Sequence, residues 1–147
     1  MIPKFRAWEP DTKFMNDQVR VTSNRFGDGE FLVEATDGFG WIEVKPEYLM
    51  QSTGLKDKNG VEIFEGDCFV KSFQMIEIPT GRTFLKDEIG VVKFIDGQFV
   101  CHIDGWGSEP LKDVLGYQNT NDDHWKDGLV IGNIWENPEL LEQANEN

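Results

Sequence analysis

The chain has 147 residues, 27 of them acidic and 14 basic, for a net charge of −13. That length fits one domain or two small, intimately packed ones. A hydrophobic content of 39%, with eleven Phe, five Trp and two Tyr, is enough to fill a core and excludes a disordered acidic chain. The acid excess argues against binding nucleic acid or an anionic membrane through bulk charge, since phosphate contacts need a surplus of Lys and Arg.

The first residues, Met1 to Arg6, carry no apolar h-region, and no run approaches 18 apolar residues. The expectation is a cytoplasmic protein with neither secretory signal nor membrane span. In that setting Cys68 and Cys101 are expected as reduced, buried thiols rather than a disulfide.

In chain order the pattern is mostly strand. Phe5-Arg6-Ala7-Trp8 alternates, Glu9 to Thr12 reads as a turn, and Lys13-Phe14-Met15 returns as the second arm of a hairpin. Val19-Arg20-Val21 alternates again, and Asn24 to Gly29 reads as a loop. Phe31 to Ala35 and Phe39 to Val44 flank Thr36-Asp37-Gly38, whose Asp-Gly pair signals a hairpin that Pro46 then ends. Tyr48 to Gln51 reads as a short strand or one helical turn, and Gly54 to Gly60 as a turn segment rich in Asp and Asn-Gly chemistry.

The second part has its own logic. Glu62-Ile63-Phe64 leads through Glu65-Gly66-Asp67 into Cys68-Phe69-Val70, and a long segment to Phe84 is broken at Pro79-Thr80-Gly81. Ile89 to Ile95 and Gln98 to Ile103 flank Asp96-Gly97 and form the clearest hairpin. Residues 104–128 read as loop-rich with one strand at Leu115 to Gln118, and Leu129 to Trp135 as a buried late strand. Asn137 at the N-cap, Pro138 at N1 and Glu139 in the first turn announce a short C-terminal helix. Charge divides unevenly: residues 1–56 hold nine acids and seven bases, residues 57–147 eighteen acids and seven bases.

Tests for chemistry return little. Around Gly60, Asp57 and Asn59 fit an EF-hand, but Leu55 and Gly66 fall where oxygen ligands are required, so a tight turn is expected. Gly27-Asp28-Gly29, Gly38-Phe39-Gly40 and Gly105-Trp106-Gly107 have no third glycine at phosphate-loop spacing and open no helix. Cys68, Cys101, His102 and His124 lack zinc-ligand spacing, and Asn121 to His124 reads as a solvated loop. His102 and Asp104 share a strand face, but no activated Ser or Cys stands beside them in the sequence. No catalytic residue, metal or cofactor is therefore expected. Trp41 and Trp106 are expected in the core; exposed, they would mark a partner surface with Asp122 and Asp123. Lys4, Arg6, Arg20 and Arg25 are the candidate basic patch.

Three segments carry a family resemblance: Lys4 to Trp8, Leu49 to Asp67 (LMQSTGLKDKNGVEIFEGD) and Val130 to Leu141 (VIGNIWENPELL). Their order and spacing resemble the YopX family of phage and prophage proteins of Gram-positive bacteria. The sequence departs from the family pattern at Ser52, where an aromatic is usual, and at Cys68, where an aliphatic is usual. The resemblance implies a mostly β fold and a phage or prophage gene; it implies no reaction.

The expected fold is all-β. An N-terminal strand unit, residues 1–56, packs on an SH3-like or partly open β-barrel, residues 57–147, closed by a short helix. Gly66 allows a tight entry to that barrel and Asp67 bonds the backbone amides of the turn. The expected function is a non-enzymatic protein-interaction module that contacts a host or phage protein or another copy of itself. The alternative is a nucleic-acid-associated protein using the basic patch, or an acidic DNA mimic: residues 96–147 hold eleven acids and two bases.

Overall fold

The computed structural model describes residues 3–23, 31–116, 124–126 and 128–145. They form thirteen strands and two short α-helices, with antiparallel pairing in each sheet and one sheet curled into half a barrel. The all-β expectation holds, short C-terminal helix included. The chain divides into two compact units, Met1–Gly54 and Leu55–Asn147.

Unit 1 contains β1 (Phe5–Glu9), β2 (Phe14–Asn16), β3 (Val19–Ser23), β4 (Phe31–Thr36), β5 (Trp41–Glu43), a 3-10 turn at Pro46–Tyr48 and the start of β6 (Leu49–Lys56). Strand β1 pairs with β2 on one side and β6 on the other, and β3, β4 and β5 make a separate three-stranded sheet. The core of the unit is small: Ala7, Val33, Ala35 and Val44, with Val19, Val21, Tyr48 and Leu49 packed around them. The Tyr48 region is both things that its sequence allowed, a helical turn and then a strand. That strand continues through Gly54 to Lys56, so the turn is confined to Asp57–Gly60.

Unit 2 contains β7 (Glu62–Phe64), β8 (Asp67–Ile76), β9 (Thr83–Ile95), β10 (Gln98–Ile103), β11 (Gly107–Pro110), α1 (Leu111–Gly116), β12 (His124–Trp125), β13 (Gly132–Asn133) and α2 (Glu139–Asn145). The curled sheet runs β11-β10-β9-β8-β12, with β13 also on β8. Its core is large and apolar: Ile63, Phe69, Phe73, Val92, Cys101, Ile103, Leu111, Val114 and Trp125. Entry into β8 follows the expected chemistry, since the Phe64 N–H donates to Asp67 Oδ2 at 2.8 Å. The β9–β10 hairpin turns on Asp96 and Gly97, at φ 51° and 82°. A two-residue loop needs those positive values to match the twist of its strands.

Two expectations are corrected. The strand expected at Leu115 is the end of helix α1, where Leu111 and Val114 are buried and Leu115 packs against the same core. That i, i+3, i+4 spacing is helical; Tyr117 and Gln118 lie outside the described residues. The buried strand expected over Leu129–Trp135 reduces to the two residues of β13. The backbone amides there go elsewhere: Val130 N–H to Asp57 Oδ2, Ile131 N–H to the Cys68 carbonyl, and the Trp135 and Glu136 N–H groups to Asn133 Oδ1. Asn137 precedes the C-terminal helix as expected, but its side-chain oxygen reaches back to accept from the Asn133 N–H.

Candidate functional site

The register of unit 1 builds an open groove. Ala7 stands opposite Asn16 and Glu9 opposite Phe14, so these four side chains share one face of the β1–β2 pair. Ala35 stands opposite Ile42 on β4–β5. Ala7 and Ala35 belong to the core, whereas Phe14, farther along the face of Ala7, and Ile42, across from Ala35, are exposed. The groove is therefore the open end of the core, about 740 Å³ in volume and lined by Phe14, Ala35, Phe39 and Ile42, with Glu9, Asp11 and Asp37 among its polar residues. Among the described residues no Lys or Arg lines it.

Its most exposed element is held by local chemistry. The Gly38 N–H donates to Thr36 Oγ1 at 3.0 Å and the Phe39 N–H to Asp37 Oδ1 at 3.1 Å. These short side chains replace backbone partners in the turn. They fix a loop on which Phe39 is 94% exposed. Glu9 Oε1 accepts from the Asp11 N–H in the same manner.

Both candidate tryptophans are exposed, against the expectation of burial. Trp41, 42% exposed, lies on β5 beside Ile42 but on the other strand face, where the Arg20 guanidinium sits 4.1 Å from its ring centre. Trp106, 51% exposed, stacks on Phe73 of unit 2 with ring centres 4.6 Å apart. Asp122 and Asp123 lie outside the described residues, as does Arg25. Of the basic patch, Lys4 is exposed, and Arg6 is half-buried with Nη2 donating to Met50 Sδ at 3.7 Å. Arg20 Nε donates to Glu34 Oε1 at 2.9 Å. Pairing with a carboxylate and an aromatic face leaves Arg20 less attraction for phosphate.

Unit 2 holds a cleft of about 380 Å³ that includes Lys86, Glu88, His102 and Asp104 among its lining. Two pairs form within it: Lys86 Nζ lies 3.2 Å from Glu88 Oε1, and His102 Nε2 lies 3.2 Å from Asp104 Oδ1. The other ring nitrogen of His102 is 2.7 Å from Ser108 Oγ. A serine that sequence order placed six residues away is brought to the histidine because His102 and Ser108 are direct partners in the β10–β11 register. The chain of groups can polarise the Ser108 hydroxyl. Its aspartate, however, is 90% exposed, whereas a triad aspartate is buried so that it fixes the imidazole without competition from water.

Two further polar sets in unit 2 tie its elements together. Lys71 pairs with Glu109, whose Oε2 accepts from Trp125 Nε1 at 2.9 Å. Asp57 Oδ1 accepts from the Asn59 and Val61 N–H groups, and Oδ2 from Val130 N–H. Burial works to raise the Asp57 pKa, but the three backbone donors outweigh it and hold the carboxyl below its usual range. This is the tight turn that the failed EF-hand match left in its place. Among the described residues no cluster of three or more His, Cys, Asp or Glu could hold a metal. Cys68 and Cys101 are free and buried. Burial and then the Asp67 carboxylate push the Cys68 thiol up to about 12, and burial raises Cys101 as well, so neither is a nucleophile at neutral pH. No helix among the described residues is long and apolar enough to cross a membrane.

Fold and site together define a two-unit antiparallel β protein with a half-barrel and an open apolar groove. Residues 4–142 match the model of the family described as YopX protein, and the chain belongs to that family. Among solved structures it is similar to protein EF1440 from Enterococcus faecalis, at 31% identity over 96% of this chain and 99% of that one, with a TM-score of 0.50. It is also similar in fold to protein YopX from Bacillus subtilis, at 19% identity over 94% and 97% of the two chains, again with a TM-score of 0.50. No curated protein matches.

Proposed function

We propose that this protein acts by binding another protein, without a reaction of its own, and that the unit 1 groove is its contact surface. The observation that carries the reading is the pairing of exposed Phe14, Phe39 and Ile42 with charges that, among the described residues, are all carboxylates. An apolar surface of this kind, rimmed by charge, is the usual mark of an interaction site. The groove suits a protein segment with aromatic or aliphatic side chains flanked by Lys or Arg: the former complete the core and the latter meet Glu9, Asp11 and Asp37. A phage or prophage origin, which the family resemblance suggests, and a bacterial cytoplasmic location belong to the same proposal.

The test is a random peptide library panned on the full chain, immobilised at low density. Enrichment of apolar segments flanked by Lys or Arg is expected, and its loss on a chain carrying Phe39→Ser and Ile42→Ser. Equal enrichment on both chains, or none on either, would overturn the reading.

A further inference from the structure

One element of this chain has the chemistry that the groove asks for. Strand β9, at thirteen residues and roughly 43 Å by strand rise, outruns its neighbours. Strand β10 pairs with it only from Val91 to Ile95, and β12 reaches β8 only at Lys71 and Ser72. Beyond those points Phe73–Ile76 and Thr83–Lys86 pair only with each other among the described residues, as a two-stranded ribbon ending in the loop 77–82. Isolated ribbons of two strands are marginal in water and gain from a third partner.

The ribbon is apolar where it is most exposed. Ile78 is 88% exposed, and Ile76, Phe84 and Leu85 are also among the exposed large hydrophobics. Its charges are Glu77, Arg82 and Lys86; Lys86 is held by Glu88, so Arg82 is the cation that the ribbon tip presents. The groove presents apolar side chains beside the core and, among its described residues, carboxylates as the only charges.

We propose that the groove of one copy receives the β8–β9 ribbon of a second copy, so that the protein self-associates head to tail. This inference rests on reading the groove as a protein-binding surface and names the occupant. Two different surfaces meet, so the contact is heterologous: it closes into a ring or continues as a chain, depending on the rotation it imposes. Ile78, Phe84 or Leu85 would fill the apolar mouth, while Arg82 approaches Asp37 or Asp11. Charge complementarity of this type sets register and speeds encounter.

A heterologous contact has a signature that an isologous one lacks. A chain with a disabled ribbon still offers a groove, and a chain with a disabled groove still offers a ribbon. The experiment is sedimentation velocity on the full chain from about 1 μM to 1 mM, in 150 mM salt, with circular dichroism as the check on folding. Four variants are used, all at exposed positions: Ile78→Lys and Arg82→Glu on the ribbon, Phe39→Ser and Asp37→Lys in the groove. The wild type should associate with rising concentration. Each variant alone should weaken association at least tenfold, and an equimolar mixture of one ribbon and one groove variant should recover a dimer that goes no further. A wild type that stays monomeric at 1 mM overturns the proposal, as do ribbon variants that associate like wild type or a mixture that recovers nothing. The peptide panning stands apart: if it still enriches groove ligands when self-association fails, the groove reading survives and only its occupant was misassigned.

Discussion

The two units solve the problem of burial in different ways. Unit 2 closes a half-barrel over nine buried hydrophobics, including Phe69, Phe73 and Trp125, and Lys71, Glu109 and the Trp125 ring nitrogen form one bonded set beside them. Unit 1 buries Trp8 and Met50, but the cluster behind its groove is Ala7, Val33, Ala35 and Val44, side chains too small to fill much space, and Phe14, Phe39 and Ile42 stand at the open end of that cluster. The difference teaches where stability and recognition reside. A closed core of large residues sustains a fold by itself, because burial stabilises by about 25 cal/mol per Å² of apolar surface. A small core with large residues at its mouth leaves that gain to be realised on binding.

Breaking unit 2 should therefore cost far more stability than breaking the groove. The largest effect is expected from Asp57→Ala, which strips acceptors from three backbone N–H groups at once. A loss of about 4 kcal/mol follows from bonds to a charged acceptor, measured by urea unfolding. The same carboxylate gives a pH signature. Its pKa is lower folded than unfolded, so its contribution is complete well above the unfolded value of about 3.9 and disappears as pH falls through the folded one. Wild type should lose stability relative to Asp57→Ala as pH drops from 5 to 3, and parallel curves would contradict the assignment.

Next comes Glu109→Ala, which leaves the largely buried Lys71 ammonium and the Trp125 N–H without their acceptor. About 3 kcal/mol is expected, and the double change with Lys71→Met should recover part of it, because an unpaired buried charge costs more than a missing pair. A Cβ added at Gly90 would lie 2.6 Å from Cys101 Sγ and 2.6 Å from the Trp125 ring. Gly90→Ala should cost about 2 kcal/mol by overpacking, seen as a lower denaturation midpoint with unchanged slope. Smallest of all, Phe39→Ser should change stability by under about 0.5 kcal/mol while weakening association. A large loss of stability there would erase the distinction between the units.

Local chemistry made much of the fold legible in the sequence. Asp37-Gly38 and Asp96-Gly97 marked their hairpins because positive φ at Gly38, Asp96 and Gly97 restricts the residues allowed. Asp67 and Gly66 marked the entry to the barrel for the same kind of reason. Helix α1 was missed because a turn and a half of Leu111, Val114 and Leu115 is too short for its period to stand out from a strand. Leu129 to Trp135 looked like a buried strand because apolar content is visible in sequence while the destination of its amides is not; they go to Asp57, seventy-three positions away, and to Cys68.

The groove was harder to see. Phe14 sits on β2 while Phe39 and Ile42 belong to the β4–β5 hairpin, and only the pairings Glu9–Phe14 and Ala35–Ile42 bring their faces into use. Exposure is likewise a property of packing, which is why Trp41 and Trp106 were expected inside. The Ser108–His102 contact depends on register across β10 and β11. Alternation of the β11 segment, had it been read as a strand, would have been the available signal.

The most direct measurement of the central claim is amide hydrogen exchange at two protein concentrations, about 1 μM and 500 μM. Raising the concentration should slow exchange at residues 9–16 and 37–43 of the groove and at residues 76–85 of the ribbon, while β10 and α1 of the half-barrel stay unchanged. Exchange that is independent of concentration at all these sites, or that slows elsewhere and leaves the groove untouched, would contradict it.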